Sequence, residues 1–261
     1  MKIPALSILS FLALSVSSSF GVITYGTYGF SVTQDFNTLT TTGWTNDTTL
    51  TGWSLFNKTP AAITSITLGT GSSSTGNFYS FATAAAPTDK ALGGVASGGA
   101  YFGSPAAGTV AGWIAVALTN TTGITLDTVA IRYDGEQFRN GGNTTAQTMV
   151  LEYGVGASFA AVSTWTAAGA AYNFTSPVAT ATAAAVDGNA AGLVANIGGT
   201  LTGVAWNNGD TLWIRWVENN DTGNDHGLAL DNFSFAAVPE PSAGLLGLTA
   251  VALIPLRRRR K

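Results

Sequence analysis

The chain has 261 residues, a length that suits one large domain or two small ones. Only 10% of the residues are charged, and Gly, Thr, Ala, Ser and Asn are abundant, which disfavours long helices and favours short strands joined by tight turns. The absence of cysteine excludes disulfides, zinc thiolates and a thiol nucleophile. Residues 22–237 contain five basic and thirteen acidic side chains, a net charge of −8, so nucleic acid is excluded as a partner of this part of the chain.

The N-terminal 21 residues have the order of a secretory signal peptide. Met1 and Lys2 give a short positive start, residues 3–16 form an apolar stretch, and the sequence Ser-Ser-Ser-Phe-Gly at 17–21 places small residues near a plausible cut. This pattern predicts a signal helix that signal peptidase removes after the export machinery has moved the chain across the inner membrane. The alternative is a buried N-terminal helix.

Residues 22–237 are predicted to form one β domain. Apolar or alternating segments predict strands at 30–36, 63–68, 112–118, 129–133, 149–153, 193–197, 212–217 and 228–235. Dipeptides typical of turns separate them, at 134–135, 140–142, 187–188, 198–199 and 208–209. Many strands without alternating helices favour an antiparallel, jelly-roll-like β-sandwich. A propeller or β-helix is the weaker alternative because no repeat of fixed period is present.

Two carboxylates and two arginines lie close together at 131–139. Asp134 and Glu136 could in principle form the acid pair of a glycoside hydrolase. Arg132 and Arg139 flank them, however, and nearby guanidinium groups favour ionised carboxylates, whereas a general acid needs a raised pKa. The sequence therefore favours a structural ion-pair network of these four residues over a catalytic site.

An oxygen-rich loop precedes the last predicted strand. Glu218, Asp221, Asp225 and Asp231 offer the hard oxygen ligands that Ca²⁺ prefers. The segment 228–233 resembles the closing strand of lectin-like and carbohydrate-binding jelly rolls, in which such an aspartate often helps to hold a structural calcium. That resemblance implies a partner near the first strand, and Asp35 is the only acid there. The alternative is a solvated loop of Asx turns, without metal.

The only histidine, His226, lies in the same loop, so every histidine-dependent mechanism depends on it. A Ser-His-Asp triad would need a nearby carboxylate and an unidentified serine. A hydrogen-bonding role in the loop is the favoured interpretation.

Seven tryptophans are many for a chain so poor in charge, and aromatic faces can stack on sugar rings. Most are expected in the core. Trp213 and Trp216 lie three positions apart, so a regular strand would place them on opposite faces.

Three features follow one another at the C-terminus. Pro239, Glu240 and Pro241 come first, and residues 243–256 then form an apolar run of 14 residues. As a helix this run would span about 21 Å, less than the hydrocarbon core of about 30 Å. The chain ends in a basic cluster that predicts a cytoplasmic stop signal: Arg257, Arg258, Arg259, Arg260 and Lys261.

This order resembles the PEP-CTERM sorting signal of Gram-negative bacteria. The resemblance covers residues 238–261 and implies a transiently anchored precursor that an exosortase, an integral membrane enzyme, processes near Pro239-Glu240-Pro241. Members of this family are typically exported and are often associated with exopolysaccharide or biofilm matrix. The alternative is an ordinary single-span anchor.

These observations predict a signal peptide at 1–21, a β-sandwich at 22–237 and a sorting signal at 238–261. The expected function is non-enzymatic, with the sandwich binding glycan or matrix polymer at the cell surface or outside the cell. The alternative is a secreted, glycosidase-like hydrolase that uses carboxylates of the 218–231 loop or the Asp134/Glu136 pair. A cleft with convergent carboxylates would favour the hydrolase, and a shallow face with exposed tryptophan would favour binding.

Overall fold

The computed structural model describes residues 22–39 and 42–238, which form fifteen strands and three short 3₁₀ turns. The strands are β1 (Ile23–Tyr25), β2 (Val32–Gln34), β3 (Trp53–Asn57), β4 (Thr67–Gly69), β5 (Asn77–Phe81), β6 (Ala91–Val95), β7 (Thr109–Asn120), β8 (Val129–Asn140), β9 (Thr148–Val155), β10 (Thr166–Ala167), β11 (Phe174–Thr175), β12 (Ala184–Ala185), β13 (Leu193–Leu201), β14 (Thr211–Asn220) and β15 (Gly227–Ala237). The 3₁₀ turns are Ala100–Phe102, Phe159–Ala161 and Ala170–Tyr172.

The strands form two sheets, which confirms the all-β class. The seven-stranded sheet has the order β1-β7-β14-β9-β10, with β3 also on β7 and β11 also on β9. The eight-stranded sheet has the order β12-β8-β15-β6-β5-β4, with β13 also on β8 and β2 also on β15. Every pair is antiparallel except β1 with β7 and β4 with β5. The long pairs β7–β14 and β8–β15 form the centres of the two sheets.

Aromatic side chains fill the space between the sheets. Trp53 and Trp216, both from the seven-stranded sheet, stack with their ring centroids 5.8 Å apart. From the eight-stranded sheet, Phe233 meets both rings edge-on, at 5.2 and 5.8 Å, and Tyr133 meets Trp216 at 5.3 Å. Each such pair contributes roughly 0.5–1.5 kcal/mol beyond the area that it buries. This core joins the sheets in a chain that has no cysteine.

All eight predicted strand segments overlap observed strands, although of the segment 63–68 only residues 67–68 lie in a strand, β4. Two predicted turns are wrong, because residues 134–135 lie inside β8 and residues 198–199 lie inside β13. At position 135, glycine is required by close packing inside the strand, since an added Cβ would lie 2.3 Å from the Phe174 ring. At position 198, glycine is favoured because the backbone is in the left-handed region (φ +118°). The register of β13 also shifts nearby, between Val194 and Ile197.

The predicted signal helix, the Pro239-Glu240-Pro241 motif and the apolar C-terminal run fall on residues 1–21 and 239–261, outside the described residues. Within the described part, no helix is both long enough and apolar enough to span a bilayer.

Candidate functional site

The main candidate site lies on the outer face of the seven-stranded sheet, where an aromatic cluster borders a cavity. Along β7, Ile114 and Val116 point into the core, and Trp113, Ala115 and Ala117 alternate with them on the outer face. The two alanines are small, so they leave space between larger neighbours. Phe159, from the 3₁₀ turn Phe159–Ala161, packs over them and is only 6% exposed.

Phe159 is the centre of what we call the outer aromatic cluster, which consists of Phe56, Trp113, Phe159, Trp165 and Trp213. The ring of Phe56 stacks on that of Phe159, with centroids 4.1 Å apart and planes 20° apart. Trp165 and Trp113 approach the same phenylalanine at 5.1 and 5.6 Å, and Trp213 meets it edge-on at 5.7 Å. Strands β3, β7 and β14 and the 156–165 segment therefore bring five rings to one surface.

Arg215 lies within this cluster and is neutralised by an acid. Its guanidinium carbon is 3.8 Å from the centre of the Trp165 ring and 5.0 Å from that of Trp113, which is cation–π geometry. Its Nε donates a hydrogen bond of 2.7 Å to Glu152 Oε2 on the adjacent strand β9. Burial lowers the pKa of Arg215, and the hydrogen bond to Glu152 opposes that effect. The face of this cluster thus already accommodates one cation.

A cavity of about 250 Å³ opens beside the cluster. Its walls are mainly apolar, and its lining is Asn46, Asp47, Ser54, Phe56, Pro60, Ala62, Ser158, Phe159, Ala160 and Trp213. This volume is slightly below the range of roughly 300–1,000 Å³ that holds drug-sized ligands, so the cavity suits one small ring. Aromatic walls with a few polar groups can stack a ring and also orient its substituents.

Asp47 supplies the charge in this cavity. Its side chain is 7% exposed, and its backbone is held in the left-handed region (φ 61°). Ser54 Oγ donates to Asp47 Oδ1 over 3.4 Å, and burial raises the pKa of the carboxyl. In the described part of the chain, no Lys, Arg or His nitrogen lies within 4.0 Å of this carboxylate. Asp47 therefore faces the cavity as an acceptor without a cationic partner.

The tryptophans divide as the sequence predicts, with most in the core. Trp213 and Trp216 do lie on opposite faces of β14, the first in the outer aromatic cluster and the second between the sheets. Trp113 and Trp165 are half-buried and the other five are buried. Sequence reasoning did not identify Asp47, Phe56 or Phe159 as site residues, and nothing in their local sequence marks them.

A second group of polar residues lies on the outer face of the eight-stranded sheet. The register sets Asp231 opposite Asp134 and Ala229 opposite Glu136, so the three carboxyls share one face. Glu136 is 4% exposed, and burial first, then repulsion from Asp231, raises its pKa to about 8. Asp231 is 2% exposed, and burial raises its pKa to about 7. Its Oδ1 makes no hydrogen bond within the described residues.

The predicted ion-pair network is therefore wrong. Arg132 donates to the Asn196 side chain at 3.2 Å, and Arg139 donates to the carbonyls of Gly71 and Ser72. Within the described ranges, the only ion pair joins Arg215 to Glu152. Within the described residues no guanidinium contacts Glu136, so burial dominates and raises the pKa of this carboxyl; the expectation that the arginines keep Glu136 ionised is therefore wrong.

The structure does not bring the five predicted calcium ligands into one site. Glu218 points between the sheets, where its Oε1 lies 3.3 Å from the position of a Cβ on Gly94, and burial raises its pKa well above its ordinary value. Asp221 and Asp225 interact in the following loop, where the Asp225 carboxylate accepts the Asp221 backbone N–H at 2.7 Å. Asp231 and Asp35 belong to the eight-stranded sheet and its margin. Among residues 22–39 and 42–238, no group of three or more His, Cys, Asp or Glu is placed to hold a metal ion.

His226 is a buried hydrogen-bonding residue. Its Nε2 lies 3.1 Å from the Asn143 carbonyl, which can only accept, so this nitrogen carries the proton and Nδ1 accepts from Ser176 Oγ at 3.0 Å. Burial lowers the pKa of the imidazole. Among the described residues no carboxylate orients the ring, and Ser176 is 4% exposed, so this pair lacks the third member and the access that a triad needs.

No family model matches the chain, and no curated protein matches it. Among solved structures, the chain is similar to the CBM22-1 xylan-binding domain from Paenibacillus barcinonensis Xyn10C, at 9% identity and a TM-score of 0.38, over 83% of this chain and 99% of that one. It is similar to the arabinose-bound MgGH51 α-L-arabinofuranosidase at 11% identity and a TM-score of 0.36, over 82% of this chain and 29% of that one. It is also similar to the Arthrobacter globiformis T6 isomalto-dextranase complexed with panose, at 13% identity and a TM-score of 0.25, over 80% and 33% of the two chains. Likenesses of this degree do not identify a site, so function has to be inferred from the side chains of this chain.

Proposed function

We propose that this is an exported protein of the cell surface or extracellular matrix whose β-sandwich binds glycan without altering it chemically. One observation carries the binding proposal: the cavity on the outer face combines three aromatic walls with an unpaired carboxylate. A sugar ring has apolar C–H faces that stack on aromatic rings and hydroxyls that donate to carboxylates. Phe56, Phe159 and Trp213 match the first requirement and Asp47 the second.

The half-buried tryptophans extend this surface beyond the cavity. Trp165 and Trp113 both contact Arg215 and both lie next to Phe159. A longer glycan seated in the cavity could therefore place a second ring against Trp165. Because each hydrogen-bonded or stacked contact adds only a few kcal/mol, repeated contact along a polymer suits a matrix-binding protein.

A glycan array with the purified protein tests the binding proposal. Trp165→Ala is expected to weaken the best array ligand about two- to tenfold, since the loss of one stacked ring is worth roughly 0.5–1.5 kcal/mol. Phe30→Ala is the matched control, because Phe30 is 61% exposed and lies outside the cluster. Equal losses for both variants, or no array binding at all, would contradict the proposal.

Export and processing form the second part of the proposal, supported by the two ends of the sequence. Residues 1–21 have the order of a signal peptide, and residues 238–261 resemble the PEP-CTERM signal that exosortase processes. Mass spectrometry of the protein from a host with an exosortase should find a mature form that starts near residue 22 and ends near Pro239-Glu240-Pro241. A full-length form that stays in the membrane of that host would instead support a permanent anchor.

The hydrolase alternative has one observation in its favour, the pair Glu136 and Asp231 with raised pKa values. A glycosidase needs one acid that is protonated near neutral pH and one that is ionised. Both side chains are almost fully buried, however, so a substrate would not reach them in this conformation. Reducing-sugar release from the array ligands, lost in Glu136→Gln, would favour the hydrolase over the binding protein.

A further inference from the structure

The cavity on the outer face has electrostatics that select one class of sugar. Asp47 lines it with 7% exposure, and Ser54 gives its carboxylate one long hydrogen bond of 3.4 Å. A neutral sugar hydroxyl would satisfy an acceptor of this kind only in part, because a buried carboxylate is best stabilised by an opposite charge. A cationic group on the ligand would supply that charge.

The walls of the cavity favour the same kind of ligand. Aromatic faces attract cations by the negative charge of their π-systems, and three aromatic rings line the space. Arg215 shows this preference in the protein itself, because its guanidinium carbon lies 5.7 Å from the centre of the Phe159 ring as well as near Trp165. Glu152 balances that arginine, so the carboxylate of Asp47 remains the unbalanced charge next to the cavity.

The charge of the whole domain acts in the same direction. Residues 22–237 have a net charge of −8, so a cationic polymer would be attracted to the domain and an anionic polymer repelled. Apolar walls, a single carboxylate and an acidic domain together match a ring that bears an ammonium group.

We infer that the glycan bound in this cavity contains amino sugars with free, positively charged amino groups, and that Asp47 pairs with one ammonium group. This inference rests on the proposed function and names its substrate class. Asp47 is the residue that determines specificity, while Phe56, Phe159 and Trp213 provide the surface on which the ring stacks.

The test compares three oligosaccharides of equal length in calorimetry with the full protein: β-1,4-linked glucosamine, N-acetylglucosamine and glucose. We expect the glucosamine oligomer to bind at least tenfold more tightly than the other two. Asp47→Asn, which keeps the shape of the side chain, should remove most of that preference, so that the glucosamine oligomer then binds about as weakly as the neutral oligomers. Asp210→Asn is the control for loss of a carboxylate, because Asp210 does not line the cavity.

The outcomes separate this inference from the proposed function. Equal affinity for the three oligomers, with no effect of Asp47→Asn, would overturn the amino-sugar inference and leave glycan binding intact. Failure of all three oligomers and of the whole array would overturn both. A glucosamine preference that Asp47→Asn does not change would also overturn the inference, since the acidic domain as a whole would then explain it. Melting temperatures of the two variants confirm that each is folded before binding is compared.

Discussion

Replacing Glu136 with glutamine is expected to stabilise the protein at alkaline pH and to leave its stability at acid pH almost unchanged. The carboxyl is 4% exposed, it lies next to Asp231, and no cation is within 4.0 Å of it in the described residues. Burial and the nearby acids raise its pKa from an ordinary value of 4.5 to about 8. The folded state therefore holds a proton that the unfolded chain releases at much lower pH.

The sign and the pH range follow from these two values. Below pH 4.5 the group is neutral in both states, so its contribution to folding is fully present. Between pH 4.5 and about 8 only the unfolded state ionises, and the free energy of unfolding falls with rising pH. At about 1.4 kcal/mol for each pKa unit, the loss reaches roughly 5 kcal/mol above pH 8 and then levels off. A glutamine does not ionise, so the variant lacks this loss.

Chemical denaturation of both proteins at several pH values between 4 and 9 measures the effect. The expected result is a difference between the two curves that is small at pH 4, grows through neutrality and reaches several kcal/mol at pH 9. Asp210→Asn, a carboxyl-to-amide change outside this cluster, should follow the wild-type curve. If Glu136→Gln and the wild type lose stability in parallel from pH 5 to pH 9, the carboxyl is not buried as a neutral acid and the reasoning is refuted.

Three further results are expected. Asp231→Asn should also stabilise the protein as the pH rises from about 4 to about 7. The double variant with Glu136→Gln should gain less than the sum, because Asp231 contributes to the raised pKa of Glu136 and its removal reduces the loss that Glu136→Gln prevents. Gly135→Ala should lower the free energy of unfolding by about 1–3 kcal/mol in denaturant titrations, since its Cβ would lie 2.3 Å from the Phe174 ring. Gly199→Ala should cost less, because the nearest atom to its Cβ would be the Tyr172 hydroxyl, at 3.3 Å. EDTA should leave the melting temperature unchanged, because the described residues contain no metal-holding group; a drop that added Ca²⁺ reverses would restore the calcium prediction.

Much of the fold could be predicted from local sequence because strands have a simple period. In β7 and β14, core residues alternate with outward residues, so the segments 112–118 and 212–217 were recognisable and the opposite faces of Trp213 and Trp216 followed. Dipeptides that contain glycine were less reliable as signs of turns, since Gly135 allows close packing against Phe174 inside a strand. The short strands β1 and β3 pair with β7 and contain too few residues for a clear period.

The sites depend on distances that no local pattern contains. Asp47, Phe56, Phe159 and Trp213 come from four separate segments that line one cavity. The register of β3, β7 and β14 places Phe56 and Trp213, whereas Asp47 precedes β3 and Phe159 lies in a 3₁₀ turn. Likewise, burial of Glu136 raises its pKa, and the pairing of β8 with β15 adds repulsion from Asp231 and leaves the arginines on other partners. By itself, the sequence determined the all-β class and the acidic charge of the domain, and the patterns at its two ends led to the expectation of export. The tertiary structure decided which side chains meet, because cross-strand register, and not sequence spacing, sets the burial and the charged neighbours of each group.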